Sequence, residues 1–76
     1  MNLPKTWTNT TYHNDSGESY TLEKGDHLFK LWISDEEDYT YSIFKYEFHE
    51  VTDVRVVEVL LETNDVLEVY EMVKGL

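Results

Sequence analysis

Residues 51–63 read VTDVRVVEVLLET, and what they form decides the architecture. Val54, Val57, Leu60 and Leu61 recur at spacings that would make one stripe of a helix. The same stretch is dense in valine, whose branched Cβ is stiff in a helix and packs well on a pleated surface. We read it as a strand, with a helix as the alternative.

The flanks are plainer. Upstream, YTYSIFKYEFHE (39–50) and HLFKLWIS (27–34) read as strands. Ile43 falls on one side of its strand and Phe44, Tyr46 and Phe48 on the other, so coverage on both faces is expected. SYTLE (19–23) reads as a short strand. NDSGE and EKGD, with Gly17 and Gly25, supply the turns on either side of it. Residues 5–14, KTWTNTTYHN, are rich in threonine and aromatics, which favour a pleated surface. Downstream, TNDVLEVYEMVKGL (63–76) reads as a helix capped by Asn64 or Asp65. Lys74 suits its C-terminal dipole, and Gly75 suits the C′ position. Val66, Val69, Tyr70 and Val73 share one helical face, with Asp65, Glu68 and Glu71 opposite. The expected fold is α+β: one domain over residues 1–76, with a small antiparallel sheet of three to four strands and a C-terminal amphipathic helix packed on it.

Composition narrows the function. The 76 residues contain no cysteine, which excludes disulfides, thiolate metal sites and a cysteine nucleophile. The opening MNLPKTWTNT lacks the apolar core of a signal peptide, and no stretch reaches the roughly 18 apolar residues of a membrane span. A cytoplasmic location is expected, and the sequons at Asn9 and Asn14 read as chance matches. Sixteen acids against six bases give a net charge of −10. Residues 35–71 hold twelve of those acids and two bases, Lys45 and Arg55, so the whole excess lies in one half. Such a field repels nucleic acid and anionic membrane, and attracts basic surfaces.

No chemistry-bearing motif emerges. No serine has a nucleophile-elbow context, and the glycines are too isolated to cradle a phosphate. The run Asp35–Asp38 reads as a solvated turn, without the burial that would tune a general acid. Glu47, His49, Glu50 and Asp53 do not close a metal site, and DEED lacks the order of a calcium loop. The aromatics read as core and cross-strand packing rather than as a base-stacking platform, because the basic residues of such a platform are missing. The chain is therefore expected to be no enzyme and to carry no cofactor or metal.

The acids themselves are the remaining constellation. Solubility alone explains many charged surfaces. Here the charge is segregated and recurs on several elements. Asp35, Glu36, Glu37, Asp38, Glu62, Asp65, Glu68 and Glu71 are the first candidates for partner contact. Glu47, Glu50, Asp53 and Glu58 come second. Alternate strand residues are about 6.8 Å apart and helix residues three apart rise about 4.5 Å, against about 3.4 Å between successive phosphates of a DNA strand. Carboxylates on such a scaffold approach the charge density of a duplex backbone.

In length, lack of cysteine, single compact domain and segregated acids, the chain resembles the small acidic inhibitors that phages make against host DNA-binding proteins. It is most similar to those of Bacillus phages directed at the histone-like nucleoid protein HU. The resemblance implies a non-enzymatic DNA mimic, acting in the bacterial cytoplasm on a basic protein, with a homodimer as one candidate form. It rests on no alignable motif, so the candidate residues come from charge placement. The rival is an interaction module that binds through an apolar patch or a sheet edge, such as VRVVEVLL (54–61), with acids only at its rim.

Overall fold

Strand alternation in the middle of the chain builds one antiparallel sheet. The computed structural model describes residues 2–12, 17–35, 38–50 and 53–76, with backbone alone for 48–50, 53, 54, 56 and 57. Five strands follow in order: β1 (Thr8–Asn9), β2 (Gly17–Lys24), β3 (His27–Ser34), β4 (Tyr41–Glu50) and β5 (Asp53–Thr63). They pair in sequence order as a meander, and α1 (Val66–Lys74) follows. The α+β expectation holds. The expected three to four strands are too few, because both the N-terminal stretch and residues 53–63 join the sheet.

The pairing explains why β5 looked helical. Ile43 stands opposite Leu61 but Phe44 opposite Val59, and Lys45 opposite Glu58 but Tyr46 opposite Val56. Leu60 and Val57 are thus extra residues. Two bulges three residues apart break the period of two and imitate a helical spacing. Bulges also roughen a long edge strand, which hinders unwanted pairing.

Directly opposed residues share a face of the sheet. Tyr20, Leu31, Ile43 and Leu61 form one such row, and Leu22 stands opposite Phe29 beside it. On this face the core gathers Leu22, Phe29, Leu31 and Ile43 with Trp7 from the N-terminal segment and Val69 and Val73 from α1. The helix lies against β4 and β5. Val69 and Val73 are buried four residues apart, while Glu68 and Glu71 point to solvent. Asp65 is the N-cap: its carboxylate accepts the Leu67 N–H at 3.0 Å. Gly75 closes the helix at φ −88°, so it does not use the left-handed freedom expected of a C′ glycine.

The opposite face corrects a second expectation. Leu28, Lys30, Trp32, Phe44 and Tyr46 alternate with the core residues and are only half-buried. Among the described residues no helix or strand packs over them. They cover one another instead. The Lys30 Nζ lies 5.7 Å from the Trp32 ring centroid, and the Phe44 and Tyr46 rings are 6.4 Å apart. Trp32 stands between Ser19 and Ser42, both of which are buried.

The β2–β3 turn supplies a stability test. Gly25 has φ 63°, and no other residue among those described has positive φ. That fits a two-residue type II′ turn, which takes glycine first. Gly25→Val should cost about 1–2 kcal/mol, the penalty of a left-handed backbone for a residue with a Cβ. Gly75→Ala, at ordinary φ, should be nearly neutral. Urea unfolding of both variants checks the contrast.

Candidate partner-binding surface

Of the first candidate acids, Asp35, Asp38, Glu62 and Asp65 lie within a few residues of chain of the contacts made by one side chain, Asn64. Residues 35–40 connect β3 to β4, and the Ser34 N–H donates to the Thr40 carbonyl at 2.9 Å to close the loop's base. The Asn64 amide oxygen accepts the Thr40 N–H at 2.7 Å, and its NH2 donates to the Asp38 carbonyl at 3.4 Å. Thr63 adds a turn of its own, its hydroxyl accepting the Asp65 N–H at 3.0 Å. The loop is thereby fastened to the junction between β5 and α1. Asp35 and Asp38 come to the same end of the sheet as Glu62 and Asp65. Glu68 follows in the first turn of α1, and Glu71 one turn later.

All six of these carboxylates are exposed. Glu71 has a partner, the Lys74 Nζ at 3.4 Å. Exposed pairs of this kind contribute about 0.3–0.5 kcal/mol, so Glu71 stays available to a stronger cation. Glu36 and Glu37 lie outside the described residues.

The second group lies elsewhere. Glu50 stands opposite Asp53 at the far end of the β4–β5 hairpin. The ten residues of β4 span about 30 Å at the usual rise. Glu47 stands opposite Arg55, and Glu58 opposite Lys45. The two bases of the acidic half thus both face acids across the sheet, a placement that favours cross-strand pairing. Among the described residues, these acids therefore divide into six at an acidic end and four on a remote, partly balanced hairpin. The side chains of His49, Glu50 and Asp53 lie outside the description, and with them the weak metal candidate. Among the described residues, no three His, Cys, Asp or Glu groups could hold a metal ion.

Two features escaped the sequence reading. One is Asn64, whose role depends on a loop 24 residues away. The other is a groove of about 570 Å³ along α1, floored by Leu61, Leu67, Met72 and Leu76. Its signal was present: Leu67 falls among the acids on the outward face of the helix, and it is 68% exposed.

The titrations resolved at the described surface belong to tyrosines. Partial burial raises the Tyr20 phenol above its ordinary value, aided by its hydrogen bond to Glu18 at 3.1 Å, and burial also raises Tyr46. Both remain neutral donors at physiological pH.

Asn64→Ala should free the 35–40 loop at a cost of about 0.5–1.5 kcal/mol, the usual net contribution of a hydrogen bond. The sensitive readout is hydrogen exchange at the Thr40 amide. Protection should fall in Asn64→Ala and persist in Asn64→Asp, which keeps the acceptor.

Comparison with protein-family models, curated proteins and solved structures finds no match. No helix among the described residues is long and apolar enough to cross a membrane.

Proposed function

We propose that this chain is a non-enzymatic inhibitor whose acidic end stands in for DNA phosphates and occupies the DNA-binding surface of a basic protein such as HU. The supporting observation is the Asn64 fastening, which holds exposed carboxylates from a loop, a strand end and a helix start at one end of the fold. A fixed array costs less conformational entropy on binding than the same charges on a mobile tail. Opposite charge also steers the encounter and raises association rates. The proposed place of action is the bacterial host cytoplasm.

A pull-down from bacterial lysate at low and moderate salt tests this reading. It is supported by recovery of a basic DNA-binding protein that is released by salt and competed off by duplex DNA. Capture that is indifferent to salt and DNA counts against it.

A second reading has its own observations. β5 is an eleven-residue edge strand with Val59 46% exposed, and the sheet face beside it carries Trp32, Phe44 and Tyr46, over which no other element packs among the described residues. A partner strand, or a second copy, could pair there, with the acids serving solubility. In that case Val59→Lys abolishes binding and neutralising the acidic end does not.

A further inference from the structure

The acidic end is not purely a charged surface. A phosphate decoy has no need of an apolar floor, yet a groove of about 570 Å³ runs along α1 beside these acids. That is within the range of roughly 300–1,000 Å³ typical of binding clefts. Leu61 of β5 and Leu67, Met72 and Leu76 supply its apolar lining. Asp65, Glu68 and Glu71 also line it, and all three are exposed.

From this juxtaposition we infer that the groove docks a cationic amphipathic segment of the partner, with an apolar side chain seated against Leu67 and Met72 and flanking Lys or Arg residues on Asp65, Glu68 and Glu71. The inference rests on reading the acidic end as a protein-binding surface, and it names what that surface recognises.

Charge complementarity selects this occupant. A second copy would bring a net charge of −10, and its own α1 would present the same outward acids. Like charges facing each other across an interface oppose that pairing. A positively charged helix with one apolar face satisfies floor and rim together, in the way amphipathic helices enter apolar grooves elsewhere. Leu67 is the natural anchor point. It is the most exposed leucine described, so it loses the most water on docking.

The test uses two labelled synthetic peptides of about 15 residues and equal positive charge. One has lysines with leucines along a single helical face, and the other has serine in place of each leucine. Fluorescence anisotropy against the whole protein is read at about 50 mM and about 200 mM salt. The leucine peptide should bind about tenfold tighter or more, as expected when a side chain of that size is buried. Leu67→Gln should erase the preference without disturbing the fold, because glutamine suits an exposed helix position. Asp65→Asn with Glu68→Gln should weaken both peptides and flatten the salt dependence.

Equal affinity for the two peptides overturns the inference, as does a preference that survives Leu67→Gln. Failure of the DNA-mimic reading looks different. The leucine preference would persist while the pull-down recovered no DNA-binding protein that duplex DNA displaces.

Discussion

Leu31→Ala is expected to remove about 2–5 kcal/mol of stability, the range for a leucine cavity in a packed core. Leu31 is wholly buried and stands between Tyr20 and Ile43 in the central row of the covered face. A domain of 76 residues has only about 4–11 kcal/mol in total, at roughly 0.05–0.15 kcal/mol per residue. The variant should thus lose a large part of its margin, and its Tm should fall by about 10 °C or more. Leu67→Ala makes the same chemical change on the exposed side of α1 and should stay within about 0.5 kcal/mol of the parent. Thermal and urea unfolding of the two variants measure the contrast. Equal losses would mean that the covered face has been assigned wrongly.

The second large effect concerns binding. Asp35→Asn, Asp38→Asn, Glu62→Gln, Asp65→Asn and Glu68→Gln together should weaken capture of a basic partner by about 10- to 1,000-fold. That follows from about 0.3–0.8 kcal/mol for each exposed pair and 1.4 kcal/mol per factor of ten. The substitutions are chosen to spare the fold. Asn is as good an N-cap as Asp, so the Leu67 N–H keeps its acceptor. Removing like charges also relieves self-repulsion, so stability should hold or rise. The remote set Glu47→Gln with Glu58→Gln should affect binding far less, because these residues face Arg55 and Lys45 away from the acidic end. Titration of one basic protein with both sets separates the two outcomes. A remote set as damaging as the clustered one would show that only total charge matters.

The salt dependence of the two sets should differ in the same sense. On the proposed reading the carboxylates at the acidic end act together on one partner surface, so their loss should flatten the response to salt. The loss should be graded, since no single carboxylate in such a field is indispensable.

Local chemistry made part of this fold legible in the sequence. The turn at Gly25 and the helix after Asp65 announce themselves through residues a few positions apart. HLFKLWIS is equally direct as a strand, although apolar Leu28 and Trp32 alternate with Phe29, Leu31 and Ile33 and leave its covered face open. β5 was half-legible. Its valines spoke for a strand, but the extra residues Val57 and Leu60 scrambled the period, and bulges are set by the pairing partner as much as by the strand. The two-residue β1 exists only through its pairing with Thr21 and Tyr20.

The surface was legible in charge but not in geometry. Composition located the excess between residues 35 and 71. Nothing local says that Asp38 lies near the start of α1, because Asn64 reaches back 26 residues to the Asp38 carbonyl and 24 to the Thr40 N–H. Nor does it say that Lys45 and Arg55 each face an acid, which depends on register. Apolar residues on both sides of β3 and β4 suggested two covered faces. Among the described residues one helix covers one face, and the outer aromatics shield themselves with Lys30 and with one another.

The central claim, that the acidic end competes with DNA for a basic protein, has one direct measurement. Labelled duplex DNA is bound to purified HU, and this protein is titrated in while anisotropy is followed at about 50 mM and about 200 mM salt. The account predicts full displacement of the duplex at the lower salt, much weaker displacement at the higher salt, and little displacement by the clustered neutral variant. DNA that stays bound at both salts, or is displaced equally by parent and neutral variant, would contradict it.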